Sequence, residues 1–600
     1  MKALGAIFFF LCLAAFYFFC LPHHVQGGDT AELVAAAYLK LVAHPPGYPL
    51  WIWLQHFWIK IPLGTIFWRA SLLSAIFSLT SLAVLALSLR KNPLLLWLCL
   101  PLLALSTVFY EAALLPDVFA LHGLFVMAIG CAFFFLGPES KSRRLLVPFL
   151  LCLGLAHHLT IIFLLPLLAG LAWEERASKT ALAEIAAAAL AGLALALLSY
   201  TSIFLLQTDS PYSWGEIRTF SGIWRHFLRL EYGSLQLSAE GNGVSLLPFL
   251  HFLGVNSLNL IPLVAFAGMI LRWRPAAKKD FRFLCGSAAL LASLAFFLLA
   301  NVRPAGMGSE VLLRFHLMPV ILCVLLAAYI LNSTIITAYT YRIFYFIAAL
   351  ALVPFFFVVG DLVKLRKDSV IEDYATNALA EASRVEPAIL LVENDHAYFA
   401  LQYAKSIFGL APHVAVASPR LFFHPWYLNK IQVTLPTFRL ADPRHAWEER
   451  TLELEKDLLA PNIAKINFVF TRGFRPQGRY KTTFLSLGYA VSSGHGQEFA
   501  PRRDLLLRSR PLSQGPQNYG KKLLFSQYAN YFLAQGAADF TVGKKDTALA
   551  AWHHALAIVP YAWPALQNIC RVTKGEDPAC APEQVEKVYS AALGGLYFMQ

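Results

Sequence analysis

Charge is scarce in this sequence: only 14% of its 600 residues are Asp, Glu, Lys or Arg, against 58% hydrophobic. So little polar surface cannot coat a soluble globule of this size, and a wholly water-soluble fold is excluded. Cysteine is nearly absent from the polar regions. Of nine, Cys12, Cys20, Cys99, Cys131, Cys152, Cys285 and Cys323 fall in apolar runs, where a thiol acts as a small hydrophobe. Only Cys570 and Cys580 lie in the polar tail. No spacing has the strength of a metal-ligand motif, so no tightly bound metal is expected. A cleavable leader is missing too: Lys2 precedes an apolar stretch through residue 21, but no small-x-small site follows, which reads as a retained first span.

What is present is long apolar runs, nearly all before residue 363. A span needs about 20 apolar residues. On that ruler, helices are expected at 3–21, 68–89, 93–109, 118–136, 145–157, 159–173, 181–206, 248–271, 282–300, 312–331 and 343–363, about eleven in all, the fifth and sixth being short. The net charge of +13 does not imply nucleic acid, because the basic residues cluster between apolar runs. Arg90 and Lys91, then Lys141, Arg143 and Arg144, then Arg176 and Lys179, then Arg272, Arg274, Lys278 and Lys279 fall on one side, the cytoplasmic one. The opposite loops, 22–67, 207–247 and 301–311, then face outward, and an odd span count delivers the C-terminal tail to that outer side.

The first outer loop reads GDTAELVAAAYLKLVAHPPGYPLW from Gly28 to Trp51. Asp29 and Glu32 share one helix face. They form either a capping box, Asp29 at the N-cap and Glu32 at N3, or a pair with chemical work to do. The two adjacent prolines of HPPGYP, His44 to Pro49, are expected to end that helix, and Trp51, Trp53 and Trp58 fit interfacial positions.

The run from Asp29 to Pro49 resembles the opening motif of the protein O-mannosyltransferase-like family, an acidic pair followed by a His-Pro-Pro-Gly turn. YEAALLPDVFALH (Tyr110–His122), GLAHHLT (Gly154–Thr160), YSWGEIRTFSGIWRHFLRLEYG (Tyr212–Gly233) and ILLVENDHAYFALQY (Ile389–Tyr403) resemble further family patches in the same order. The resemblance implies a polytopic fold similar to the GT-C glycosyltransferases, which take sugar from a polyprenyl phosphate and act on the outer or lumenal face. It points to mannose as the sugar and to protein Ser/Thr as an acceptor, neither of which the residues specify. In that fold an acidic residue of the first outer loop serves as base, which implies Asp29, with Glu32 as the alternative.

The chemistry supports this separately. Moving a sugar from a lipid phosphate to a hydroxyl needs a carboxylate for the acceptor proton and cations for the leaving phosphate, and one carboxylate suffices if the anomeric centre inverts. Ionisable residues near membrane depth are costly and single out Glu111, Asp117, His122, His157, His158, Arg303, Glu310 and Arg314. His157 and His158 either bind substrate or hydrogen-bond inside the bundle. Arg303 and Arg314 either hold a phosphate bidentately or snorkel at the interface. Glu111 and Asp117 support Asp29 or share a weakly bound divalent cation. His44, Tyr48 and Trp214 complete the substrate-binding candidates. Trp214 and Trp224, with Tyr212 and Tyr232, alternate with Glu216, Arg218, Arg225 and Arg229 in a segment that equally fits an amphipathic helix on the membrane.

Beyond residue 363 the chain turns globular. Strand-like AILLVEN (388–394) and HVAVAS (413–418) flank a helical stretch, and NFVFTRG and DLLLRSR within 466–510 add strands, so 364–515 is expected to be a soluble α/β domain. Residues 516–600 read as a helical hairpin resembling one degenerate tetratricopeptide unit, turning at Gly543 and stopping at Pro560. Cys570 and Cys580 are expected to form a disulfide outside the membrane. The whole is a mainly α membrane bundle, GT-C-like over 1–363, with a soluble tail. Its expected function is lipid-linked-sugar-dependent glycosyl transfer to a protein or glycan acceptor. A bacterial inner membrane is the expected location. A transporter or lipid flippase, or a scaffold for surface glycan assembly, is the alternative.

Overall fold

Where lipid surrounds a chain, every backbone amide must be satisfied within it, and helices do so segment by segment. The computed structural model describes residues 2–231, 245–257, 280–332, 353–449, 451–471, 480–492 and 519–595, with isolated positions 237, 267–268, 349 and 505. Two compact units divide the chain. One comprises Met1–His23, Ala36–Thr208 and Ser213–Arg366; the other comprises His24–Ala35, Asp209–Tyr212 and Lys367–Gln600.

The first unit is helical. Ile66–Leu89, Lys179–Leu205, Phe281–Leu299 and Met307–Asn332 are each long and apolar enough to cross a bilayer, and Pro93–Ala104 with Thr107–Leu114 makes a fifth if that pair, bent by 64°, is one span. Gly5–Cys20, Phe119–Phe135 and Leu159–Glu174 are shorter apolar helices. Eleven spans are therefore not reached among the described residues, for identifiable reasons. The helix expected at 93–109 carries Pro101 inside it and breaks after Ala104. The one expected at 145–157 begins at Lys141, so its first turn is basic. The one expected at 159–173 opens as a 3₁₀ turn, Leu159–Leu164, before becoming α-helical. Those expected at 248–271 and 343–363 lie partly outside the described residues.

Helix Phe119–Phe135 packs on Leu317–Asn332 through glycine: a Cβ at Gly130 would sit 2.4 Å from Leu325 Cδ1. Close backbone approach of this kind is how helices associate where lipid removes the hydrophobic driving force. The basic residues read as topology signals also tie helix ends together. Arg143, fully buried, pairs with Glu174 at 2.5 Å, Arg282 reaches the same Glu174 at 3.1 Å, and Arg144 meets Glu184 at 2.7 Å.

The second unit contains a five-stranded sheet: β1 Ala388–Leu391, β2 Val414–Ala417, β3 Asn467–Phe470, β4 Lys481–Phe484 and β5 Tyr489–Ser492, in the order β2-β1-β3-β5-β4. β1 runs parallel to both β2 and β3, with Ile389 opposite Ala415 and Phe468, whereas β5 is antiparallel to β3 and β4. A central parallel strand is buried on both faces, which is why AILL is apolar without alternation. Helix Asp395–Phe408 makes the crossover from β1 to β2, its first turn capped by Asn394, which accepts the Ala397 amide at 2.8 Å. The β4–β5 turn hangs on Glu381, whose buried carboxylate accepts the amides of Ser486 and Leu487, each at 2.9 Å. The strand expected at 504–510 lies outside the described residues apart from position 505.

Four helices close the chain: Tyr519–Thr541, Lys545–Ile558, Trp563–Val572 and Pro582–Gly595. The first two form a hairpin turning at Gly543, whose φ of 79° suits glycine. Cys570 and Cys580 are disulfide-bonded, with Cα atoms 5.6 Å apart. Replacing both with Ser should lower the stability of this region by about 2 to 3 kcal/mol on the loop-entropy model. Hydrogen exchange over 563–595 in the full chain measures the loss; unchanged protection, or two free thiols in non-reducing mass spectrometry of the wild type, would overturn it.

Candidate functional site

The candidate residues divide between the two units. Asp29 and Glu32 belong to the second, sheet-containing one. Their helix begins at Asp29 itself and runs to Leu39, so both carboxylates sit in its first turn and Asp29 is not the N-cap that the spacing suggested. Negative charge in a first turn is favoured by the helix dipole. The incoming segment is held by Glu372, which meets His24 Nδ1 at 3.1 Å and accepts the Val25 amide at 3.3 Å; Gln26 donates to the Asp368 carbonyl at 3.1 Å. At Gly27 there is no room for a side chain, since a Cβ would fall 1.9 Å from His396 Nδ1.

Asp29 is half-buried and Glu32 buried. Tyr398 is held protonated well above the usual phenol range, by burial first, then by Tyr427 and the Glu32 carboxylate. Its hydroxyl lies 3.1 Å from that of Tyr427, which accepts the Ser418 amide at 3.0 Å and is itself pushed up to about 12 by burial. Of the two carboxylates, Asp29 is therefore the more accessible to an incoming hydroxyl, while Glu32 is packed into a buried polar group.

The helix does not run as far as HPPGYP. It stops at Leu39, where Lys40 turns left-handed at φ 56° and the Leu41 amide returns to the Ala36 carbonyl at 2.8 Å, a Schellman-type ending. In the membrane unit, HPPGYP then forms a turn of its own, with Gly47 at φ 90° and Tyr48 at 44°, and Pro49 starts the next helix. Tyr48 Oη lies 3.3 Å from His44 Nε2, and the Tyr48 ring stacks on His158 with centroids 6.0 Å apart. His44 meets Trp214 edge to face at 6.3 Å. Trp214 is buried, its amide bonded to the Val42 carbonyl at 2.9 Å and its indole to Glu231 at 3.2 Å. Trp51 is 1% exposed, a core residue rather than an interfacial one. Trp53 donates to Ser202 at 2.7 Å and Trp58 to the Arg69 carbonyl at 2.8 Å.

His157 Nε2 donates to the Val118 carbonyl at 2.8 Å, and Asp117, one residue earlier, accepts the Val118 amide and pairs with Arg314 at 3.2 Å. Glu111 lies within electrostatic reach of the same guanidinium and of Glu310. A small pocket of about 10 Å³ opens beside Arg314, lined by Phe119, Phe296, Phe315, His122 and Thr160 among others. The fold thus brings together His44, Tyr48, His158 and Trp214, and joins Asp117 and Glu111 to Arg314. It does not bring in Arg303, which is exposed and has no ion pair among the described residues. Tyr232 lies outside those residues, and Trp224 and Phe220 are exposed on the short helix Phe220–Phe227, as the amphipathic reading requires. Among the described residues no group of three His, Cys, Asp or Glu side chains converges as metal ligands. Sequence reasoning missed Thr160, Phe119 and Phe315; a hydroxyl two residues after a helix-capping histidine was the one signal available.

Residues 29–93 match the family model of the N-terminal domain of the protein O-mannosyl-transferase TMEM260. Protein O-mannosyl-transferase TMEM260 of Mus musculus is 25% identical over 515 residues, which are 81% of this chain and 71% of the mouse protein. The Dictyostelium discoideum protein of the same name is 27% identical over 250 residues, 37% of this chain and 30% of its own length. Among solved structures, apo ArnT from Cupriavidus metallidurans covers 67% of this chain and 85% of its own, with 13% identity and a TM-score of 0.47, a likeness too low to carry an argument.

Proposed function

We propose that the chain is a glycosyltransferase of GT-C type in a protein O-mannosyltransferase-like family, a reading supported by the family model over residues 29–93 and by both curated relatives. It moves a sugar, mannose being the first candidate, from a polyprenyl phosphate to an acceptor hydroxyl, with protein Ser/Thr the first acceptor to test. The observation that carries the reading is the acidic first turn, Asp29 and Glu32, at the start of the family-matched segment. In this reading Asp29 takes the acceptor proton, with Glu32 the alternative base. Arg314 holds the leaving phosphate, and His44, Tyr48, His157, His158 and Trp214 shape the pocket for the ligand. Arg303, exposed at the outer loop, is a second phosphate contact to test. Glu111 and Asp117 either steady Arg314 or share a weakly bound divalent cation, which transfer with and without chelator distinguishes. The displacement inverts the anomeric centre, and the C-terminal unit lies outside the cytoplasm of a bacterial inner membrane.

The test is transfer by the purified chain from polyprenyl-phosphate sugars to acceptor peptides, beside glycoproteome comparison of a deletion strain. Transfer, with loss of the same glycopeptides in the strain, supports the reading; neither appearing overturns it. The topology has its own check. A reporter active only in the cytoplasm, fused after Arg510, should be silent, and activity there would reverse the orientation.

A further inference from the structure

Three imidazoles of the membrane unit, His122, His157 and His158, are buried, and the hydrogen bonds around Thr160 decide which of their nitrogens carry protons. His158 caps the turn Leu159–Leu164, accepting the Thr160 amide on Nδ1 at 3.3 Å. A nitrogen that accepts an N–H presents its lone pair, so His158 Nδ1 holds no proton. The Thr160 hydroxyl lies 2.7 Å from that same Nδ1 and so donates its single hydrogen there. Its oxygen is then left as acceptor for His122 Nε2, 3.2 Å away, which must be the protonated nitrogen of that ring. A neutral imidazole has one N–H. His122 Nδ1 is therefore a bare acceptor, and it has no hydrogen-bond partner among the described residues. His157, by the same logic, spends its Nε2–H on the Val118 carbonyl.

His122 and Thr160 line the small pocket beside Arg314, whose other walls include Phe119, Phe163, Phe296, Phe315 and Ser293. We propose that Thr160 is a positioning residue that holds His122 in the Nε2–H tautomer, so that His122 Nδ1 accepts a hydroxyl of the sugar ligand while Arg314 carries its anionic group. The assignment of the ligand rests on the glycosyltransferase reading; the tautomer assignment does not. A buried acceptor with no protein partner discriminates for a ligand that donates to it, because a ligand lacking that hydroxyl leaves the nitrogen unsatisfied.

Two measurements test the two halves. Histidine-¹⁵N spectra of the full chain in lipid nanodiscs, with His122 identified by difference against His122→Asn, should show Nε2 protonated and Nδ1 bare. Thr160→Val, which keeps the shape and removes the hydroxyl, should shift that signal, and Thr160→Ser should restore it. An unchanged signal in Thr160→Val overturns the positioning role whether or not transfer is ever observed. In the transfer assay, His122→Asn and Thr160→Val should raise KM for the donor about 2- to 10-fold, the scale of one hydrogen bond, with kcat less affected. Donors carrying monodeoxy sugars should show the same rise with the wild type at one ring position, and His122→Asn should add nothing further for that analogue. Equal penalties at every position, or none, overturn His122 as the hydroxyl acceptor. A wild type that transfers nothing overturns the glycosyltransferase reading and the ligand assignment together, and leaves the spectra to decide the tautomer.

Discussion

Asp29→Asn should cost about 100- to 10,000-fold in turnover, the usual scale for losing a general base, while leaving the fold intact. The structure makes the second half of that expectation firm. Asp29 is the first helical residue and half-buried, and the neutral isostere keeps its shape while giving up the first-turn charge–dipole term of about 0.3 to 1 kcal/mol. Glu32→Gln is the companion variant. Glu32 is buried beside Tyr398, and its amide form keeps the shape of that group. A collapse of turnover in Glu32→Gln alone would transfer the role of base to Glu32. Both variants retaining near-normal transfer at unchanged stability would remove the acidic pair from the chemistry altogether.

Breaking the Asp117–Arg314 pair should have the largest effect on stability. The Asp117 side chain is 7% exposed and that of Arg314 21%, at 3.2 Å. Asp117→Asn leaves the guanidinium with weakened compensation in an apolar unit, which costs about 3 kcal/mol, the low end of the range for buried pairs because Arg314 keeps some access to water. Replacing both, Asp117→Asn with Arg314→Met, should recover part of that loss, since neither member of the pair is then left charged without its counterpart. Transfer should behave oppositely. If Arg314 holds the leaving phosphate, the double variant regains stability and stays inactive, and its rate is not restored by raising the donor concentration within solubility. Unfolding in detergent measures the first quantity and initial rates the second; a double variant that regains both would reduce Arg314 to a structural role.

The sequence carried much of the sheet because β1, β2 and β3 are short apolar runs with turn residues at their ends. It did not reveal β4 and β5, since KTTF is polar and its place depends on β5 and on Glu381, more than a hundred residues earlier along the backbone for Leu487. The expected spans and the described helices part wherever an apolar run is broken by geometry that composition does not report, as at the bend after Ala104 or the 3₁₀ turn at Leu159. Reading the tryptophans as interfacial failed at Trp51 for a related reason: hydropathy registers that a residue is apolar, not which neighbour covers it.

By itself the sequence determined that the chain is a membrane protein with an α/β region after its apolar runs, where its acidic pair lies, and which ionisable residues sit among apolar ones. Those are local properties, set by the hydropathy and period of each segment. Only the tertiary structure decided that the helix starts at Asp29 instead of being capped by it, that Arg314 answers Asp117 while Arg303 does not, and that Thr160 joins two histidines 36 residues apart. Hydrogen bonds and ion pairs act over about 3 to 4 Å, so their partners are chosen by how helices pack and not by their separation along the chain.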